Sequence, residues 1–316
     1  MIGRVVGNYR IEALIGEGGM ARVFRARHTS LDRVVAIKAL RPDLAADPAV
    51  RERIVAEQRV LDRLRHPAIV GLYDVHVEGA DLFLVMELVE GETLRERVAR
   101  DGPLALEAAC TVACEILAGL AHAHEAGVVH RDVKPANVML TAETAKLVDF
   151  GVARAADAAA VTVAGMVVGS PAYLPPERWE AAPATPATDV YGVGLCLWEA
   201  LTGYPPVSPD AGWKACYKAH TVHGIPDVRT ARAEVPAWLA EVVARATRKE
   251  PEARFVDAGV MLAAIQTGMA GQGRGYEEQR TVLFRARSQA GEEEPPRERA
   301  VRESWQPGRA PVAALA

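Results

Sequence analysis

The polar residues between positions 130 and 151 are of types, and at spacings, that a packed core has little use for. His130-Arg131-Asp132-Val133-Lys134-Pro135-Ala136-Asn137 follows a helix-like stretch, and Asp149-Phe150-Gly151 follows a strand pair expected at Val138 to Leu140 and Lys146 to Val148. An acid that can take a proton, a cation two residues on, and further oxygen donors in Asn137 and Asp149 suit the transfer of a phosphoryl group. Such a group spreads its negative charge over its oxygens in flight, so cations and in-line positioning do most of the work. A carboxylate beside an amide oxygen also matches a hard, oxygen-seeking ion such as Mg2+.

Three upstream features could serve the same chemistry. Gly16-Glu17-Gly18-Gly19-Met20-Ala21-Arg22-Val23 lies between strands expected at Tyr9 to Ile15 and Arg22 to His28. Glycines there let backbone N–H groups close over phosphates, although the same pattern also makes a plain hairpin. Val34-Val35-Ala36-Ile37-Lys38 reads as a strand whose period of two sets Ala36 and Lys38 on one face and Val35 and Ile37 on the other. The chain holds six lysines among its 37 basic residues, so Lys38 uses the rarer, compact cation, unless it merely snorkels from an edge strand. A helix expected from about Pro48 to Leu64 has an inward stripe of Ile54, Glu57, Leu61 and Leu64. Glu57 falls inside that apolar stripe, where a carboxylate needs a cation, and Lys38 is the nearest in sequence; the alternative is the stripe's wet edge.

The elements that must hold these residues form two blocks. From Tyr9 to about Val89, short β-branched runs with turn signals and a single helix predict a mostly antiparallel sheet. From Leu94 to about Ile265, Ala- and Leu-rich helical periodicity dominates, broken by Gly and Pro clusters. Beyond about 267 the composition turns to Arg, Glu, Gly and Pro without an apolar face, which predicts a disordered tail over 267–316. Residues 1–8 read as an N-terminal extension.

Taken in order, glycine loop, strand lysine, helix glutamate, HRDxKxxN and DFG resemble eukaryotic-type protein kinases, and most closely the bacterial Ser/Thr kinases of that superfamily. The resemblance covers Tyr9 to about Ile265 and implies an α+β, two-lobed fold with a kinase domain over 9–266, divided near residue 89. It further implies ATP and Mg2+ as cofactors. The backbone of Gly16, Glu17, Gly18, Gly19, Met20 and Ala21 would cover the phosphates, with Ala21 standing where many kinases have a third glycine. Lys38, tethered by Glu57, would hold the α- and β-phosphates. Asp132 would accept the proton of a substrate hydroxyl, Lys134 would stabilise the transferring group, and Asn137 and Asp149 would bind the metal. Met86 would be the gatekeeper, the backbone of Glu87 and Val89 would meet adenine, and Val23, Ala36 and Met139 would sandwich the purine. Leu61, Leu72, His130 and Phe150 match a hydrophobic stack anchored by Asp189. The lysine after Asp132 favours Ser and Thr hydroxyls of proteins as acceptors. A pseudokinase scaffold would lack Lys38, Asp132 or Asp149, and small-molecule kinases of this fold lack the Glu177–Arg254 pairing expected below.

The same resemblance makes the stretch from Asp149 to Glu177 an activation loop, closed by Pro175-Pro176-Glu177, with Arg254 as the buried partner of Glu177. Arg131 implies a basic pocket for a loop phosphate. Thr162, the only threonine between Phe150 and Glu177, is then the autophosphorylation candidate, against a plain exposed loop residue. Ser170 is a second candidate, in a position that more often binds Asp132 and Lys134. In the tail, Thr281 lies between acidic residues and an apolar pair and could dock a forkhead-associated partner domain. N-lobe homodimers that allow phosphorylation in trans are a further implication.

Composition excludes other classes. A net charge of −4, from 37 basic and 41 acidic residues, argues against a bulk nucleic-acid or anionic-membrane binder, and the five tryptophans form no stacking stripe. The apolar stretches are broken by Glu115 or Glu199, so no membrane span or signal peptide is expected, and four scattered cysteines read as buried thiols of a reducing, cytoplasmic setting. His122, His124 and His130 look at first like a metal cluster, but the first two are expected to be solvated or capping and His130 is taken up by the kinase-like motif.

Overall fold

The alternating β-branched runs of the first block build a six-stranded sheet in the order β1-β2-β3-β4-β6-β5, all of whose neighbouring pairs are antiparallel. The computed structural model describes residues 1–18, 21–40, 52, 55, 64–79, 81–150 and 171–271. The strands are β1 (Val5–Val6), β2 (Tyr9–Glu17), β3 (Ala21–His28), β4 (Val34–Leu40), β5 (Leu72–Glu78) and β6 (Asp81–Glu87). Central strand β4 sends Val35 and Ile37 into a cluster with Ile11, Phe24, Phe83 and Val85, as its period of two requires. The segment ahead of Tyr9, expected as an extension, is built into the sheet. Val6 is fully buried in that same cluster, and Arg4 pairs with Glu78 at 2.8 Å and Asp81 at 2.9 Å. Of the expected helix from Pro48 to Leu64, residues 52, 55 and 64 are described; 52 and 55 are helical, whereas Leu64 is not and is buried in the core beside Ile69.

A small sheet of β7 (Glu92–Thr93), β8 (Val138–Leu140) and β9 (Ala145–Leu147) underlies the junction between the blocks. Seven α-helices follow among the described residues: α1 (Leu94–Asp101), α2 (Leu106–Glu125), α3 (Pro176–Trp179), α4 (Pro186–Thr202), α5 (Trp213–Lys218), α6 (Ala237–Ala246) and α7 (Ala258–Gly271). Helix α2 is long and apolar enough by composition to cross a membrane, with a mean hydropathy of 1.4, but 67% of that stretch is buried inside the protein. It packs with α4, α6 and α7 into one core that includes Leu117, Leu120, Val193, Leu197, Leu239 and Ile265. The domain end expected at 266 falls inside α7, whose Met269 is still buried.

Two polar arrangements fix the segment that precedes α4. Glu177 lies 9% exposed against a fully buried Arg254, whose guanidinium donates to Glu177 Oε1 at 2.9 Å and Oε2 at 2.7 Å. The remaining N–H groups of Arg254 donate to the carbonyls of Ala187, Arg248 and Lys249. Every donor of the planar fork is therefore used, which offsets its desolvation. Nearby, Tyr173 donates to Glu199 Oε2 at 2.6 Å and accepts from Arg95 at 3.1 Å. Burial raises the Glu199 carboxyl above its usual range, opposed by the Tyr173 hydroxyl and Arg95.

Burial works against ionised Glu177 as well, yet the hydrogen bonds and charge of Arg254 prevail and hold its carboxyl below the ordinary 4.5. A depressed carboxyl contributes stability above its unfolded value and loses it as pH falls through the folded one. Glu177→Gln should therefore cost about 3 kcal/mol at neutral pH and should flatten the loss of stability below pH 4.5. Chemical denaturation across acid pH checks this, and a variant whose acid limb stayed as steep as the parent's would refute it.

Candidate functional site

The catalytic-type loop is held from below by one carboxylate. Asp189, in the first turn of α4 and 1% exposed, accepts from the backbone N–H of His130 at 2.8 Å and of Arg131 at 2.7 Å. His124 at the end of α2 meets the same carboxylate at 2.9 Å. His124 was expected to be solvated or capping; its side chain is 5% exposed, because a buried carboxylate draws every donor within reach. The N–H of Ala258 donates to the other ring nitrogen of His124, which leaves Nε2–H to face Asp189. Arg131 itself has φ 75, a left-handed strain that the bonds to Asp189 sustain.

His130 is fully buried and ties the loop to the strand that leads to Asp149. Its Nδ1 accepts from the N–H of Asp132 at 3.3 Å, so Nε2 carries the proton and donates to the carbonyl of Val148 at 3.0 Å. Its ring lies 4.3 Å from that of Phe150, which is buried in the same core as Leu64 and Ile69. Of the other stack residues, Leu72 is buried with Leu82 and Leu84, and Leu61 lies outside the described residues.

The predicted catalytic set meets above this base. Asp132 Oδ2 accepts from Lys134 Nζ at 2.7 Å and from Asn137 Nδ2 at 3.0 Å, and Asn137 Nδ2 also reaches the Asp132 carbonyl at 2.8 Å. One carboxylate oxygen is thereby oriented, while among the described residues Oδ1 receives no hydrogen bond, and the side chain is 38% exposed. Lys38, 8% exposed, donates to Asp149 Oδ1 at 2.7 Å. Glu57, its expected partner, lies outside the described residues, and the cation is engaged by Asp149. Burial opposes ionisation of Asp149, but the charge and hydrogen bond of Lys38 outweigh it and hold the carboxyl below its usual range. An anionic oxygen on Asp149 and the amide oxygen of Asn137 form a hard donor pair that fits Mg2+, an ion that keeps other positions for water and phosphate oxygens.

Around this set, Ala36 lies opposite Met86 across β4 and β6, Val23 lies opposite Lys38 across β3 and β4, and Met139 lies opposite Lys146 across β8 and β9. In the glycine turn, Gly18 N–H closes onto the carbonyl of Ala21 at 2.9 Å, and Glu17 pairs with Arg22 at 2.8 Å. Gly19 and Met20 lie outside the described residues. Ala21 packs its methyl with Leu40, Leu82 and Leu84, so an alanine there fills the sheet's apolar face. Glu87 and Val89 stand at the end of β6 and just beyond it, both half-buried. The Glu87 side chain also binds Lys146 at 2.6 Å, a pairing that no local spacing signals. Thr162, Ser170 and Thr281 lie outside the described residues. All four cysteines are buried core thiols, with burial pushing Cys110 and Cys114 up to about 12.

Backbone closeness seats the loop on α4. A Cβ at Gly192 would meet the carbonyl oxygen of Val133 at 2.5 Å and its Cβ at 2.7 Å. Gly192→Ala should therefore push the loop off the helix and cost about 1–3 kcal/mol. A thermal melt indistinguishable from the parent's would refute that close approach.

Comparison with known proteins agrees with this geometry. A family model described as protein kinase domain matches residues 9–261. Serine/threonine-protein kinase PknL of Mycobacterium tuberculosis is 39% identical over 259 residues, 82% of this chain and 65% of the relative. Probable serine/threonine-protein kinase PknB of Lactococcus lactis is 37% identical over 279 residues, 87% of this chain and 44% of its own length. The chain thus spans less than two thirds of these relatives. Among solved structures, a kinase domain of Mycobacterium tuberculosis PknI has a TM-score of 0.70 at 26% identity, covering 85% of this chain and 99% of that one. With its two-lobed architecture and ordered site residues in place, the chain belongs to the protein kinase domain family.

Proposed function

We propose that the protein is a Ser/Thr protein kinase that transfers the γ-phosphate of ATP to hydroxyls of proteins, its own activation loop included. The observation that carries this reading is the convergence on Asp132, oriented through Oδ2 by Lys134 and Asn137, of a site in which Lys38 holds Asp149 ionised. Asp132 is then free at Oδ1 to accept the proton of an incoming hydroxyl as the oxygen attacks phosphorus. Lys134, hydrogen-bonded to that carboxylate, brings positive charge to where the equatorial oxygens gather it. Lys38 emerges from the buried strand β4 to meet the α- and β-phosphates. Mg2+, held by Asp149 and Asn137, supplies neutralisation of phosphate charge when bound. The backbone of the glycine turn, the buried Ala36 and the half-buried Val23 and Met139 enclose the nucleotide and exclude water.

The lysine two positions after Asp132 and the likeness to serine/threonine-protein kinases favour Ser and Thr acceptors. Thr162 is the first autophosphorylation site in this reading, with Ser170 supporting the catalytic loop. A cytoplasmic setting, trans phosphorylation through N-lobe contacts, and docking of a forkhead-associated domain at a phosphorylated Thr281 belong to the same proposal.

Incubation with ATP and MgCl2 should add phosphates to the chain, read by intact mass, with Thr162 among the mapped sites. Asp132→Asn and Lys38→Met should each slow that addition by at least about 100-fold. A parent that gains no phosphate on itself or on Ser/Thr peptides, or an Asp132→Asn variant as fast as the parent, would overturn the proposal.

A further inference from the structure

The Glu87 side chain joins three stretches of chain that meet at the back of the nucleotide site. Its Oε1 accepts from Lys146 Nζ at 2.6 Å, and its Oε2 accepts from the N–H of Gly71 at 3.1 Å. The backbone closes the arrangement, since the N–H of Glu87 donates to the carbonyl of Gly71 at 2.8 Å. Lys146 and Glu87 are 18% and 29% exposed, so water screens the pair incompletely. Strand β9, which carries Lys146, is itself stitched to the same stretch. The N–H of Leu147 donates to the carbonyl of Ala68 at 2.8 Å, and the N–H of Val70 to the carbonyl of Leu147 at 3.0 Å.

These contacts sit between the two walls that enclose the purine. Glu87 ends β6, opposite Val35 and one residue beyond Met86, which lies opposite Ala36. Lys146 lies opposite Met139 on β8, and the chain reaches Asp149 three residues later. The Lys146–Glu87 contact therefore fixes how far the upper wall, with Ala36 and the Glu87 backbone, stands from the lower wall, with Met139. A slack contact would let the two walls shift while leaving Asp132, Lys134 and Asn137 in place on their own loop.

We propose that Lys146 is a positioning residue for the nucleotide, holding the hinge end of β6 against the β8–β9 floor through Glu87. The proposal rests on the kinase reading above. Lys146→Met keeps the aliphatic stem and removes the charge, Lys146→Arg keeps the charge, and Glu87→Gln removes the acceptor's charge. KM for ATP and kcat would be measured with a Ser/Thr peptide, Kd for ADP with MgCl2 by calorimetry, and the thermal midpoint for each variant. Lys146→Met and Glu87→Gln should raise KM and Kd about five-fold with kcat within about two-fold, the pattern of lost uniform binding. Lys146→Arg should recover most of the loss, and the double variant Lys146→Met/Glu87→Gln should be no worse than either single one. Unchanged KM and Kd in the single variants, or losses that add in the double variant, would overturn the proposal, as would a lowered melting midpoint with affinity intact. A parent that binds ADP but transfers no phosphate would sink the kinase reading alone, with the ADP titrations still deciding Lys146; a parent that binds no ADP would sink both.

Discussion

Asp189, a carboxylate with almost no access to water, decides where the side chains of the catalytic loop can point. Buried anions are costly, and this one is compensated by two backbone N–H groups and the ring of His124. Those N–H groups belong to His130 and Arg131, so the anion that must be satisfied also holds Arg131 in its left-handed conformation. The turn so produced brings Asp132 out of the core while His130 stays in it. From there His130 reaches Val148 and Phe150, and the placement of Asp149 follows. Replacing any one donor would leave charge unpaired in a dry place, so the loop has few alternative arrangements of comparable energy.

The helical lobe repeats this device at a second level. Arg254 and Glu177 are a buried pair in which each partner's remaining valences are filled, by backbone carbonyls on one side and by the Thr188 hydroxyl on the other. His220 shows the opposite solution. Burial pushes it down to about 4, and as a neutral ring it accepts from the Tyr191 hydroxyl and donates to the carbonyl of Ala172. Ala172 and Tyr173 are thus held by His220, Arg95 and Glu199, while the helix that starts at Pro176 is held by Arg254. The chain directly after position 170 is accordingly fastened to α4, the helix that carries Asp189, and both ends of the site share one rigid reference.

Residues that act through local spacing were legible in the sequence. Asp132, Lys134 and Asn137 lie within six positions of one another, and a loop that exposes one of them almost inevitably exposes the others. The burial of Lys38 followed from the period of β4. Partnerships between distant segments were legible only where the family resemblance supplied them, as for Glu177 and Arg254. Glu57 was matched to Lys38 because that lysine was the nearest candidate cation in sequence; Glu57 lies outside the described residues, among which Lys38 meets Asp149, arriving from the other lobe. Lys146 and Glu87 are 59 positions apart, and a lysine on a short strand carries no signal that it is three-quarters or more buried. His124 looked like a surface histidine at the end of an apolar helix, since its reason for being buried is the anion of a different helix. The valine at position 6 was too short a run to read as a strand, and it becomes one through the pairing offered by β2.

The division of labour between the two basic residue types follows from their shapes. Lysines are few here, yet Lys38 and Lys134 both reach the region between the lobes, each placing its ammonium on a single carboxylate oxygen. An ammonium is a compact charge on a flexible stem, with one oxygen to meet rather than two to match. Arg254 does the reverse, spending five directed N–H groups on partners that do not move. Exchanging the two types would fail in both directions: a planar fork at Lys38 would demand bidentate partners that a single Asp149 oxygen does not offer, and a lysine at position 254 would leave buried carbonyls of Ala187, Arg248 and Lys249 short of donors. Stiffness at the base of the lobe and adjustability at the cleft are therefore properties of which cation stands where.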